Sequence, residues 1–196
     1  MSNGDDDRHA VHAAALEQEL AWLESIINLR LAQHFQQLPE GFEAAVPPPV
    51  LPRESALAAL IGDLGLEARE RAVLALAIAP HVRPGVLDLL FVRNQNLDRG
   101  FTEFGGWKGQ RHGGFLPTGE TAAFLVAGDR LVARIALLGM FDPHHPFVAR
   151  DILRLDGDMY ESTIQALEAL YRKVSYGGYV IVDDFGLQGC NKAIGD

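Results

Sequence analysis

The chain has 196 residues, a net charge of −9, 48% hydrophobic and 22% charged residues, enough for one ordinary globular domain or one domain and a fragment. The acidic balance excludes broad electrostatic attraction to nucleic acid or to an anionic membrane, and no apolar run reaches the ~20 residues of a membrane helix. The single cysteine, Cys190, excludes an intramolecular disulfide framework, and with a polar, acidic N-terminus unlike a signal peptide it fits a cytoplasmic location.

Residues 1–10 are expected to be disordered. Within residues 11–45 the spacing predicts a long helix from about Val11 to Gln37, with Leu16, Leu20, Leu23, Ile27, Leu31 and Phe35 on one apolar stripe. The stripe is short for a coiled coil, so it is read as packing on its own domain rather than pairing two chains. Val46-Pro47-Pro48-Pro49-Val50-Leu51-Pro52 cannot be helix interior and reads as an extended, proline-rich linker over residues 46–53.

Residues 54–150 read as a helical domain. Helices are expected at about Glu54–Leu64, stopped by Gly65, at Glu67–Ala79, ended by Pro80, and at Pro84–Val92. The glycine-rich stretch 93–119 suits short strands joined by turns. Helices then resume at about Glu120–Ala127 and Asp129–Phe141, and Asp142-Pro143-His144-His145-Pro146 breaks the chain again.

Gly114 to Thr121 has the outline G-x-x-x-x-G-x-T, but Glu120 stands where a phosphate loop needs lysine and Pro117 removes a backbone donor. Nucleotide binding there is rejected; Thr118 as the cap of the next helix, with Glu120 or Thr121 in its first turn, explains the pattern. Trp107, Lys108, Arg111 and His112 make a small basic-aromatic patch, read as surface turn residues with room for a protein partner.

The strings F-T-E-F-G-G and H-G-G-F-L-P-T-G-E-T, with L-A-W-L-E-S-I-I-N-L-R-L before them and L-L-G-M-F-D-P-H-H-P after, resemble the region upstream of the motor in a family of bacterial AAA-type ATPases. The likeness spans roughly residues 11–153. It implies a winged-helix-type N-terminal region with an assembly role and, without a Walker A lysine, no ATP hydrolysis.

Ile152-Leu153-Arg154-Leu155 is a short β-like run ending in Asp156. Asp158 and Glu161 suit a capping box, and Met159, Ile164, Leu167, Leu170 and Val174 recur at helical spacing. Tyr179-Val180-Ile181-Val182, a run typical of a parallel strand, ends in Asp183 and Asp184. Residues 151–196 therefore read as a βαβ unit whose crossover sets both strands in one parallel sheet. Asp156, Asp183 and Asp184 fall at its carboxyl edge, where open α/β sheets bind ligands. Three carboxylates together suit a hard cation, with Mg²⁺ the natural choice; the bland alternative is that strand-end aspartates cap turns.

L-D-G-D-M-Y-E-S-T-I-Q-A-L-E-A-L-Y and G-G-Y-V-I-V-D-D-F-G-L-Q-G-C, within about residues 153–194, closely resemble the macrocin O-methyltransferase family (the TylF/MycF type). The resemblance implies S-adenosylmethionine as donor, a divalent metal and a sugar hydroxyl as acceptor. It further implies Asp156 as metal ligand and general base, with Asp183 and Asp184 as the metal-binding pair. Arg172 and Tyr176 depart from the prolines usual in that family. No glycine-rich turn for the donor is recognised upstream of Asp156, so no cofactor-binding residue is assigned.

Together the two resemblances give a chimera-like chain of α+β class, a mainly α winged-helix-like part followed by a βαβ fragment of a Rossmann-like methyltransferase sheet. The first functional reading is a non-catalytic interaction or assembly domain fused to a truncated methyltransferase segment. The alternative is a metal-dependent O-methyltransferase of the macrocin type. Oligomeric state is not readable.

Overall fold

A 32-residue helix, α1 (Asn3–His34), is the spine on which the other helices of the first unit pack. The structure is a computed structural model that describes residues 3–38, 46–108, 113–142, 144–149, 152–155 and 179–182. It divides into two compact units, Met1–Leu137 and Leu138–Asp196, the division preceding the expected boundary at 150/151. The overall class is helix-rich α+β with three two-stranded sheets among the described residues. Among those residues, no single helix is long and apolar enough to cross a membrane.

α1 starts at Asn3, so residues 3–10, expected to be disordered, lie within a helix. Leu20, Leu23 and Ile27 of the expected stripe are buried, while Leu16 and Leu31 are half-buried and Phe35 is exposed. Ala15, Glu19 and Trp22 are buried beside them, which widens the stripe into a face. That face meets α2 (Ala56–Leu64), α3 (Ala68–Val82), α4 (Gly119–Ala127) and the 3₁₀ helix Pro84–Phe91, so the stripe packs within its own unit.

Local capping explains where the short helices begin and end. Ser55, fully buried, accepts a hydrogen bond from the Ala58 N–H (3.1 Å) and starts α2. Gly65 ends it in the left-handed region at φ 61°. Glu67 and Glu70 form a capping box at the start of α3. α3 runs past Pro80, the expected stop, to Val82. Pro80 is buried in the last turn, where only a single backbone bond is forgone. Pro84 then opens the 3₁₀ helix, as its fixed φ favours.

The proline-rich segment is no free linker. Arg71 of α3 donates from Nε and Nη2 to both carboxylate oxygens of Glu19 on α1 (3.0 and 2.6 Å). Its Nη2 also reaches the Pro49 carbonyl (3.0 Å), and its guanidinium lies 5.5 Å from the centroid of the Trp22 ring. The Trp22 indole in turn donates to the Val46 carbonyl (2.9 Å). Residues 46–52 are thereby strapped across α1 and α3.

Two small antiparallel hairpins occupy the glycine-rich stretch, as expected: β1 (Arg93–Asn94) with β2 (Arg99–Gly100), and β3 (Trp107–Lys108) with β4 (Phe115–Leu116). Phe101, Phe104 and Phe124 gather around His34 at ring-centroid distances of 5.2–5.7 Å, which ties the hairpins to the C-terminal end of α1. Arg30 of α1 donates from Nε and Nη2 to the Leu125 carbonyl at the end of α4 (3.1 and 3.0 Å), a favourable place for a cation. Burial, with Arg130 adding repulsion, pushes its guanidinium below the ordinary value. Gly128 follows at φ 58°, and a Cβ there would lie 2.7 Å from Arg30 Nη1. α5 (Leu131–Leu137) closes the unit.

The second unit contains the 3₁₀ helix Leu138–Phe141, α6 (Pro146–Ala149), β5 (Ile152–Leu155) and β6 (Tyr179–Val182). At the expected break Asp142 Oδ1 accepts from the His144 N–H (2.8 Å), an Asx turn, and Pro146 opens α6.

Because the Glu19 and Arg71 side chains are only 4% and 12% exposed, Glu19→Gln leaves a buried cation without its counter-charge. Urea unfolding should show a loss of about 3–5 kcal/mol. Glu17→Gln, which breaks the exposed pair with Arg83 (3.2 Å), should cost at most about 1 kcal/mol. Equal losses from the two substitutions would contradict the buried-pair account.

Candidate functional site

The expected site begins at the ends of β5 and β6. The two strands pair in parallel with Ile152 opposite Tyr179 and Leu155 opposite Val182, so both finish at the same level of the sheet. This is the pairing that a right-handed βαβ crossover was expected to give. Asp156, Asp183 and Asp184 are the residues that follow these ends in sequence, and all three lie outside the described residues. So do the expected crossover helix with Met159, Ile164, Leu167, Leu170 and Val174, and Arg172, Tyr176 and Cys190. Among the described residues, no group of three or more His, Cys, Asp or Glu side chains is placed to hold a metal ion.

The phosphate-loop outline at Gly114–Thr121 is a helix cap. The Thr118 hydroxyl accepts the Thr121 N–H, and the Thr121 hydroxyl accepts the Thr118 N–H (3.0 Å), a reciprocal capping box at the start of α4. The Gly106 N–H also donates to Thr118 Oγ1 (3.1 Å). Gly105, at φ 59°, lies directly against this helix start: a Cβ on it would sit 2.9 Å from the Thr121 nitrogen and 2.7 Å from the Glu120 Cβ. A Cβ on Gly106 would strike the Phe115 ring. The ground in front of the helix is therefore filled by backbone, which leaves no cradle for a phosphate. Glu120 titrates below the ordinary carboxylate value, chiefly through a hydrogen bond with Thr118 and then through its own backbone N–H. A carboxylate depressed in the fold stabilises it above its unfolded value, and the contribution is lost as pH falls through the folded one.

Of the basic-aromatic patch, Trp107 is 68% exposed on β3. Arg111 and His112 lie outside the described residues. A second arrangement was not anticipated from sequence: the groove of Glu19, Trp22 and Arg71 that holds residues 46–52. The signal for it was present in P-P-P-V-L-P, a run whose prolines fit neither a helix interior nor a central strand.

Comparison with known proteins places a family likeness at the C-terminal end. The family model for macrocin O-methyltransferase (TylF) matches residues 136–196, which contain β5 and β6 and begin upstream of the expected start near 153. Over 45 residues the chain is 51% identical to an 8-demethyl-8-(2,3-dimethoxy-alpha-L-rhamnosyl)-tetracenomycin-C 4'-O-methyltransferase from Streptomyces olivaceus, covering 23% of this chain and 17% of that one. It is 58% identical over 43 residues to demethyldecarbamoylnovobiocin O-methyltransferase from Streptomyces niveus, covering 22% and 16%. It is 38% identical over 52 residues to mycinamicin III 3''-O-methyltransferase from Micromonospora griseorubida, covering 26% and 20%. The chain thus spans no more than 20% of the length of these relatives. No solved structure matches. The comparisons lend no support to the AAA-type likeness read over residues 11–153, and among the two functional readings they favour the O-methyltransferase one.

The capped helix start yields a paired expectation. Calorimetry with Mg-ATP should give no binding heat, while Thr118→Ala should lower stability by about 1 kcal/mol through loss of the cap. Micromolar ATP binding abolished by Gly119→Val would contradict the assignment.

Proposed function

We propose that residues 136–196 carry the metal-and-base edge of an S-adenosylmethionine- and Mg²⁺-dependent O-methyltransferase of the macrocin type, acting on a sugar hydroxyl. The observation that carries the reading is the coincidence of the family match with a parallel β5–β6 pair whose ends are level. In the sequence Asp156 follows one of these strand ends, and Asp183 and Asp184 follow the other. The same β5–β6 pair is proposed as part of a Rossmann-like sheet.

The donor set fits the metal: three aspartates offer hard oxygen ligands, which suit Mg²⁺. In this reading Asp183 and Asp184 hold the ion, and Asp156 both binds it and receives the proton of the acceptor hydroxyl. The metal, when bound, lowers the pKa of that hydroxyl. Asp156 must be ionised to work as a base.

The test is a Mg²⁺ titration of the whole chain. Asp183→Asn and Asp184→Asn should each weaken binding by at least about 10-fold, a loss of the size seen when groups around a metal are removed. Glu120→Gln, on the capped helix, should leave it unchanged. Under metal-saturating conditions with S-adenosylmethionine and a sugar-bearing macrolide, Asp156→Asn should abolish any methyl transfer that the chain supports. Metal affinity indifferent to Asp183 and Asp184 would refute the proposal.

A further inference from the structure

α2 is the least buried helix of the first unit. None of its nine residues is buried, although its sequence, A-L-A-A-L-I-G-D-L, is mostly apolar. Leu57, Ile61 and Leu64 are half-buried and Leu60 is exposed. An element that buries so little opens locally at a low cost in free energy, so the bonds at its ends weigh more than they would in the core. At its C-terminal end the Gly65 N–H donates to the Gly62 carbonyl (3.2 Å) and the Leu66 N–H to the Ile61 carbonyl (3.0 Å), both within the same stretch of chain.

The N-terminal end is tied to another helix. The first amides of a helix have no carbonyl of their own to meet. Ser55 Oγ accepts the Ala58 N–H, and the Ala56 N–H donates to Nδ1 of His12 on α1 (3.2 Å). An imidazole accepts at Nδ1 only when it is neutral and carries its proton on Nε2; an imidazolium has donors at both nitrogens and no acceptor. Protonation would set an N–H against the Ala56 N–H and place a cation at the positive end of the α2 dipole. Around this bond, Arg8 and His9 stand one turn earlier on α1, and Arg53 and Glu54 directly precede the Ser55 cap. Two cations, one further imidazole and a single carboxylate therefore share its neighbourhood.

We infer that His12 is a proton-operated latch between α1 and α2. Neutral, it pins the start of α2 to α1; protonated, it releases that start. The latch holds at high pH and is undone as pH falls, and its release lets α2 open and uncovers Leu57, Ile61 and Leu64.

The test is amide hydrogen exchange of the whole chain, read by NMR as protection factors so that the intrinsic pH dependence of exchange drops out. It is run at about pH 8 and about pH 6, within the range over which imidazoles gain a proton. The amides of residues 60–64 should lose protection by at least about threefold on acidification, the size of one net hydrogen bond. Those of Leu23 and Ile27, in the buried face of α1, should keep theirs. His12→Asn offers an amide oxygen in the place of Nδ1 and does not titrate, so it should hold α2 equally at both pH values. His12→Ala should leave α2 as weakly protected at the higher pH as the unaltered chain is at the lower one. The inference is overturned if α2 protection is indifferent to pH, if His12→Asn retains the loss, if His12→Ala protects α2 as the unaltered chain does, or if Leu23 and Ile27 lose protection in parallel.

Discussion

A guanidinium taken out of water must have its donors met and its charge balanced, and the Arg71 site satisfies both demands with groups from two other stretches of chain. Glu19 supplies both carboxylate oxygens from α1, Pro49 a carbonyl from the strap, and Trp22 an aromatic ring near the cation. The arrangement is bidentate, the geometry in which such pairs are strongest. Its consequence is architectural rather than a matter of net stability, because a buried ion pair repays only part of its desolvation. It fixes α3 against α1 in one register and draws the proline segment between them. Once α1 and α3 are set, the remaining packing follows. The 3₁₀ helix Pro84–Phe91 returns across both, and Phe104 and Phe124 close on His34 at the C-terminal end of α1.

Much of this was legible in the sequence wherever a rule is local. The Thr118 cap, the Gly65 stop and the turn-rich hairpins over 93–119 follow from residues that act within four positions of themselves, and the structure has them. The helical period of α1 identified Leu20, Leu23 and Ile27 as inward-facing. What escaped was non-local or neutralised. Glu19 and Arg71 stand 52 positions apart, and no local pattern links them before the fold brings them together. Val46–Pro52 read as a linker because prolines make no helix or sheet, yet the segment packs through its Val46 and Pro49 carbonyls. Pro80 read as a stop because a proline's cost was assessed without its place in the last turn.

The C-terminal end divides differently. The parallel pairing of Ile152–Leu155 with Tyr179–Val182 was readable from two β-like runs of 4 residues and a crossover of fitting length, and the strands pair in that sense. The family likeness was readable from the strings around those strands, and the comparisons place it there. The site itself rests on Asp156, Asp183 and Asp184, whose positions are the substance of the functional proposal. The phosphate-loop outline shows why a motif needs its setting: Gly114–Thr121 has the glycine and threonine spacing, but Gly105 and Gly106 stand where an anion would.

The most direct test of the functional account is to find where a divalent ion binds. Mn²⁺, a paramagnetic substitute for Mg²⁺, broadens the amide resonances of nearby residues in a labelled sample. The account predicts broadening centred on residues 153–156 and 180–184 and none around Gly114–Thr121. Broadening that is diffuse, or centred elsewhere in the chain, would contradict it.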